Sequence, residues 1–286
     1  KHSTGVAIPK SVITKIKQCD GIRCNECHQG KATLQPFRQS QNRNVGEPGT
    51  LLVADYCGPI NPPTTGGRNG ISLVRDPSSE WDSIRLLYTK DGVQDHVQEE
   101  IAAADRCYKG HVKTVRTDGG REYLGALGRF MKDSGIRHET TERDSPSQNG
   151  FAERANRSLI HRSRALLAHS RLPSKYWGEA ALYVVEVKNR TPNKKLGWKS
   201  PFELRYGRVP DLRILHPWGC RAFVLNAGRS GKFDPKTSNG IFMGIMPRMK
   251  SYKILLDNGQ MITARNVTFR EDEFPGLPGA TQGESM

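Results

Sequence analysis

Between residues 50 and 140 the apolar positions come in short runs and then change period. Leu51-Leu52-Val53-Ala54 is one run, ending at Asp55; Ile71–Val74 is a second and Ile84–Tyr88 a third. Pro62-Pro63, Gly66-Gly67 and Pro77-Ser78 separate them, which predicts three strands joined by turns. Val93, Val97, Ile101 and Ala104 then recur at helical spacing, and Gly110 stops that helix. Val112–Thr117 predicts a fourth strand ending at Asp118, residues 124–132 a short helix stopped near Gly135, and Ile136–Thr140 a fifth strand. Residues 149–169 predict a long helix with Ala152, Ala155, Leu159, Ala165 and Leu166 on its buried side, ended by Leu172-Pro173. Ser174 is expected to cap the next helix, whose Trp177, Ala181, Val184 and Val187 face inward and which Thr191-Pro192 closes. The order β-β-β-α-β-α-β-α-α predicts a mixed sheet with helices on its faces.

After residue 215 the period returns to strands, over 220–225, 240–243, 252–256 and 261–268, with Asp257-Asn258-Gly259 as a hairpin signal. The expected organisation is a first module over 1–37, a polar linker over 38–49 and an α/β core over 50–192. A connecting helical segment over 193–218, a basic β module over 219–272 and a disordered Gly/Pro/polar tail over 273–286 follow.

Charge narrows the function. Forty-four Lys and Arg against 29 Asp and Glu leave +15 over 286 residues, which points to an anionic partner, nucleic acid before acidic membrane. No apolar stretch approaches the roughly 18 residues of a membrane span, and no secretory signal is present. A membrane protein, a collagen-like chain and a secreted disulfide scaffold are excluded. The chain starts at Lys1 rather than Met, so it is expected to be a piece of something longer. Of six cysteines only Cys24 and Cys27 are closely spaced, and C-x-x-C in such a chain reads as metal or redox before disulfide.

Three carboxylates fall where elements end: Asp55 after the first strand, Asp118 after the fourth, Glu153 near the start of the long helix. If strands one and four are neighbours, the two aspartates lie at like ends and a helix across them brings in the glutamate. Such a set repels itself unless divalent cations neutralise it, and oxygen ligands without His or Cys suit Mg²⁺ or Mn²⁺. Taken alone, an Asp at a strand end is more often a turn residue, and an early helical Glu usually only favours the helix dipole.

The surrounding residues add to this. V-A-D-Y-C-G-P-I (53–60), R-T-D-G-G-R-E-Y (116–123) and S-P-S-Q-N-G-F-A-E-R-A-N-R-S-L (145–159) resemble the catalytic core of the integrases of copia-type long-terminal-repeat retrotransposons. N-R-T-P (189–192), S-P-F-E-L-R-Y-G-R-V-P-D-L (200–212), G-C-R-A-F-V (219–224), F-D-P-K (233–236) and G-I-F-M-G (240–244) resemble the family's downstream region, so the resemblance covers most of the chain. It implies an α/β, RNase H-like fold with helices on both faces of a mixed sheet, within a Gag-Pol polyprotein. It implies Asp55, Asp118 and Glu153 as ligands of Mg²⁺ or Mn²⁺, and metal-dependent 3′-end processing and strand transfer. DNA, both element ends and target, is the implied partner, with RNA a second candidate, a homo-oligomer the expected state, and the nucleus the expected site of action after a cytoplasmic particle. Two departures stand out. Arg121 intrudes where the family has Asp-Asn-Gly-Gly-Glu, and Arg75-Asp76-Pro77-Ser78-Ser79 replaces Asp-Asp-x-Ser-Arg.

Cys24 and Cys27, with Gly30-Lys31, resemble the second half of the family's His-His-Cys-Cys module, with His2 the candidate histidine. Zn²⁺ is expected there in the intact parent, and two unmetallated thiols are the bland alternative. Residues 154–175 carry Arg154, Arg157, Arg162, Arg164, Arg171 and Lys175 without an acid. Arg157, His161 and Arg164 share Glu153's helix face, which suits a phosphate backbone; a merely solvated face is the alternative. Gln148 and Asn149 offer amides beside Glu153 for a DNA end, or merely turn the chain. Trp177, Trp198 and Trp218 read as core, and Cys57, Cys107 and Cys220 as buried small hydrophobes. Three functions compete: a DNA-joining transferase, a catalytically inactive nucleic-acid-binding remnant of one, and a different RNase H-like nuclease.

Overall fold

The structure, a computed structural model, describes residues 46–108, 110–141, 150–226, 233–246 and 249–277. The described residues form two compact units. One holds the chain up to Ile160 together with Val187–Pro210, the other His161–Glu186 and the chain from Asp211 onward.

The first unit is built on a five-stranded sheet. β1 (Leu51–Cys57), β2 (Gly70–Asp76) and β3 (Trp81–Leu87) form an antiparallel meander, whereas β4 (Thr114–Asp118) and β5 (Arg137–Thr141) run parallel to β1, in the order β3-β2-β1-β4-β5. Strands alternate their side chains between faces. Leu52, Ala54, Val74 and Val115 therefore share one face, where they pack with α1 (Gly92–Cys107), α2 (Arg121–Leu124) and α3 (Ala126–Asp133). α1 contributes Val93, Val97, Ile101 and Ala104, the helical stripe that the spacing predicts. The single short helix expected over 124–132 is divided at Gly125, whose ψ of −114° interrupts the helical backbone between α2 and α3. The opposite face carries Val53, Asp55, Ile71 and Leu73 by the same alternation, and α4 (Gly150–Ser170) meets it, Asn156 bonding Asp55 across the gap. Helices thus lie on both faces, as the element order predicts.

β3 is an edge strand whose outward backbone groups need partners. α5 (Trp177–Arg190) supplies one: Asn189 accepts from the Asp82 N–H (3.0 Å) and donates to the Asp82 carbonyl (2.7 Å). The same corner holds a charge network. Arg75 on β2 bonds Asp82 (3.0 Å) and Glu80 (2.6 Å), Lys188 of α5 bonds Asp82 (2.7 Å), and Lys195 bonds Glu80. A short α6 (Pro201–Tyr206) follows, capped by Ser200, whose Oγ accepts from the Glu203 N–H (3.1 Å). It lies within the connecting helical segment expected over 193–218.

The second unit contains a wholly antiparallel sheet of β6 (Arg221–Leu225), β7 (Thr237–Met246), β8 (Ser251–Leu256), β9 (Met261–Ala264) and β10 (Val267–Arg270), in the order β10-β6-β7-β8-β9. The hairpin signal at 257–259 joins β8 to β9, and Gly259 takes the φ of +85° that the turn requires. The single strand expected over 261–268 is two strands at opposite edges of the sheet. Only Arg265 and Asn266 lie between them, so they span at most about 10 Å and the sheet must curl to bring its edges that close. A register shift between Phe242 and Gly244 sits in β7. The core is Trp218, Cys220, Ala222, Ile241, Phe242, Met243, Ile254 and Leu255, and Trp218 Nε1 donates to the Met243 carbonyl (2.9 Å).

Several expectations fail. Trp198 is not core: it is 56% exposed, on a turn with φ +66°. Cys57 and Cys107 are half-buried, and only Cys220 is fully enclosed. Ala165 and Leu166 are half-buried, with Ser163 and Ser170 buried in their place, and Val187 is half-buried. Ser174 does not cap α5; it opens a 3-10 turn (Ser174–Tyr176) for which Pro173 stands at the cap without a side-chain bond.

Candidate metal and nucleic-acid site

The sheet register places two aspartates together. β1 and β4 are parallel, with Leu52 opposite Val115 and Val53 opposite Arg116. Two residues further along each strand come Asp55 and Asp118. The period of two puts both on one face, at the same end of adjacent strands. The run Leu51–Ala54 commits β1 to the sheet interior, so Asp55 is carried to the rim of the core rather than out into solvent.

Glu153 enters from α4. Ala152, Ala155, Asn156 and Leu159 are buried, the i, i+3, i+4, i+7 stripe that turns this helix toward the sheet. Glu153, one residue after Ala152, is exposed beside that stripe in the first turn.

Asp55 feels the other two carboxylates. Burial pushes Asp55 up to about 6, with the charges of Asp118 and Glu153 raising it further and the bonds from Asn156 and the Tyr56 N–H working against them. Asp55 Oδ1 accepts from the Tyr56 N–H (2.9 Å) and Oδ2 from Asn156 Nδ2 (2.8 Å). Asp118 Oδ1 accepts from the Gly120 N–H (3.1 Å). A Cβ at Gly120 would stand 2.7 Å from Glu122 Cδ and 3.0 Å from Asp118 Oδ1, so the Glu122 side chain would have to move aside for it.

Four residues that the sequence did not single out complete the surroundings. Asn156 holds Asp55, while its own Oδ1 is buried without a partner among the described residues. Tyr123 is fully buried; its hydroxyl has no hydrogen-bond partner among the described residues and is raised by burial and by Asp55, Asp118 and Glu122. Glu122 is tied to Lys90 (2.7 Å), whose ammonium lies 5.1 Å from the Tyr56 ring centre. Asn156 had a signal, standing three residues after Glu153 on the same helical face. Lys90 had none, because its approach depends on the turn before α1.

Every donor gathered here is an oxygen, and a half-buried carboxylate raised by burial and by two like charges is a group that a hard dication would relieve. The residues therefore fit Mg²⁺ or Mn²⁺ by donor type. Among the described residues no group of three His, Cys, Asp or Glu side chains is drawn up to hold a metal ion. Arg121, the departure beside Asp118, is exposed at the start of α2. Arg154, Arg157 and Arg164 are exposed and His161 is half-buried along α4; among the described residues no acid pairs with Arg154 or Arg157. Gln148, Asn149, His2, Cys24 and Cys27 lie outside the described residues.

Comparison with known proteins supplies relatives. Residues 220–282 match the retroviral polymerase SH3-like domain, a stretch that contains all five strands of the curled sheet. The chain is a homologue of a segment of retrovirus-related Pol polyproteins. Its relatives include those of plant copia-like transposons. It is 30% identical over 92% of its length to the Pol polyprotein of transposon TNT 1-94 from Nicotiana tabacum, and 30% identical over 89% to that of transposon RE1 from Arabidopsis thaliana. The Gag-Pol polyprotein of transposon Ty1-DR4 from Saccharomyces cerevisiae is 24% identical over 88% of the chain. The chain spans only 20%, 17% and 16% of these three proteins. Among solved structures, the catalytic core of BIV integrase covers 55% of the chain and 93% of its own, at 18% identity and a TM-score of 0.40. The HTLV-2 integrase catalytic core in complex with magnesium (trimeric form) covers 56% and 98%, at 16% and 0.42.

Proposed function

We propose that this chain is the integrase segment of a retrotransposon Pol polyprotein, a polynucleotidyl transferase that trims element DNA 3′ ends and joins them to target DNA. The observation that carries the reading is Asp55: a carboxylate at the rim of the core, raised to about 6 by burial and by the charges of Asp118 and Glu153. Asp55 and Asp118 would hold the cation and Glu153 would complete its shell. When bound, Mg²⁺ or Mn²⁺ supplies charge neutralisation and activation of a hydroxyl for attack on phosphorus, at one metal or two. Asn156 orients Asp55 through its Nδ2–Oδ2 bond, and the Gly120 N–H orients Asp118. Arg154 and Arg157 lie along the helix that carries Glu153 and would take the DNA backbone, with His161 and Arg164 further along. The proposal extends to zinc on Cys24, Cys27 and His2 in the parent, to self-association and to action in the nucleus.

A strand-transfer assay with blunt element-end DNA and Mn²⁺ tests it, with Asp118→Asn as control. Joined product that the control lacks supports the reading. DNA binding without any joining, equal in both proteins, would mean an inactive remnant. Cutting of the RNA strand in a hybrid without joining would mean a different nuclease of the same fold.

A further inference from the structure

The turn between α5 and α6 carries a feature that neither the core nor the carboxylate site uses. Asn193-Lys194-Lys195-Leu196-Gly197-Trp198-Lys199 is held rigidly: Asn193 Oδ1 accepts from the Leu196 N–H (3.1 Å), and the Trp198 N–H donates to the Asn193 carbonyl (2.9 Å). The Asn193 N–H donates to the Lys199 carbonyl (3.2 Å). Where the turn closes, Trp198 is 56% exposed and adopts φ +66°. Both features are costly. A large indole is left in water, and a non-glycine residue occupies the left-handed region directly after Gly197, which occupies it at +62°. No other ring packs against the indole among the described residues.

Along the chain, the charge to either side of it has one sign. From Val187 to Phe202 there are five Lys or Arg and no acid. Lys188 and Lys195 are committed to Asp82 and Glu80, and Arg190 is buried over the Phe202 ring; that leaves Lys194 and Lys199, both exposed and without an acidic partner among the described residues, on either side of Trp198. A rigid exposed indole between uncommitted cations is the combination that binds single-stranded nucleic acid, the ring stacking on an unpaired base and the cations meeting phosphates.

We propose that the Asn193–Lys199 turn is a binding site for unpaired nucleotides, with Trp198 as the stacking platform and Lys194 and Lys199 as phosphate contacts. A duplex hides the faces of its bases, so the site discriminates for frayed or single-stranded ends. It does not depend on the integrase reading, since stacking needs no divalent cation.

The test is fluorescence and anisotropy titration of the full chain in EDTA with oligo(dT), oligo(rU) and a duplex of equal length. Either single strand should quench the tryptophan signal. Trp198→Ala should weaken that binding about five-fold or more, with Trp198→Phe restoring part of it. Lys194→Ala with Lys199→Ala should lower the salt slope by about 1.4, whereas Trp198→Ala leaves the slope intact. Trp198→Gly relaxes the left-handed residue, so it should melt no lower than the parent yet bind like the alanine variant, separating lost contact from lost fold. Single-strand affinity unchanged in Trp198→Ala overturns the proposal. So does an equal loss for duplex, or an effect of Trp198 only on self-association or on an acidic peptide. Single-strand binding by this turn in a chain that never joins DNA would overturn the integrase reading and leave this one standing; strand joining without it would do the reverse.

Discussion

Two acidic clusters sit on the same sheet and are handled in opposite ways. Glu80 and Asp82, at the β3 edge, meet Arg75, Lys188 and Lys195, two acids against three cations held at hydrogen-bond distance. At the other cluster, of Asp55, Asp118 and Glu153, Asp55 meets an amide and a backbone N–H and Asp118 a backbone N–H. The nearby Lys90 is bound to Glu122 instead. The first cluster is closed. Among the described residues, the second keeps unbalanced negative charge, an unpartnered Asn156 oxygen and an unpartnered Tyr123 hydroxyl. Internal compensation marks structure, and its absence in a partly buried place marks a site for something from outside.

The largest effect expected of this contrast is on activity. Asp118→Asn should lower Mn²⁺-dependent strand joining by at least about 100-fold, because neutralising one ligand removes charge that the cation needs. The same change should leave the melting temperature equal or higher, since it removes one of three repelling carboxylates. A clear loss of stability in Asp118→Asn would show that the cluster is structural after all.

Asp82→Asn should do the reverse. Asp82 is buried and anchors Arg75 and Lys188, and burial already pulls Lys188 down to about 8 against the attraction of Asp82. Weakening that anchor should cost about 3 kcal/mol in urea or thermal unfolding, with no effect on the affinity for Mn²⁺. Calorimetric titration of Mn²⁺ into both variants checks the second half. Loss of metal binding in Asp82→Asn would erase the distinction between the clusters.

A third treatment of a buried titratable group appears on the sheet's other face. His96 of α1 is enclosed, with Nδ1 at 2.9 Å from the Ser72 hydroxyl and Nε2 at 3.0 Å from that of Ser83; burial, aided by Arg85, lowers it to about 3. The folded state therefore refuses a proton that the unfolded chain accepts below about 6.5. Between these values the unfolded state binds more protons, so stability is whole above about 6.5 and falls as the pH drops toward 3. At pH 5 the loss from this group should be about 2 kcal/mol. His96→Gln should flatten the stability difference between pH 7.5 and pH 5; an unchanged pH slope would show that His96 does not set it.

What the sequence made legible follows from period and local chemistry. The apolar run at Leu51–Ala54 and the stripe at Val93–Ala104 report burial directly, and the end of the fourth strand located Asp118; the first strand was read as ending at Asp55, whereas it runs on to Cys57. The hidden features depend on which strands become neighbours. Nothing local says that 261–268 must split across a curled sheet, or that Asn189 would cap the β3 edge 107 residues away. Trp198 misled for the same reason: apolar character argues for the core, but the Asn193 turn holds it outside. Asn156 was within reach of the helical spacing from Glu153, and only its contact with Asp55 needed the fold.

The smallest effect concerns cations rather than acids. Arg154 and Arg157 are exposed and have no acidic partner among the described residues, the positive counterpart of the unbalanced carboxylates beside them. If this end of α4 tracks a phosphate backbone, replacing both by Ala removes two contacts, and each is worth about 0.9 in the slope of log affinity against log salt on duplex DNA. A drop of about 1.8 is then the ceiling, roughly ten-fold in affinity between 50 and 200 mM salt. Unrelated duplex sequences should weaken alike, because phosphates carry no base identity. The fold should hold to within about 0.5 kcal/mol, as both side chains are exposed. A retained salt slope would place the duplex path away from this helix and confine the unbalanced charge of the molecule to its acids.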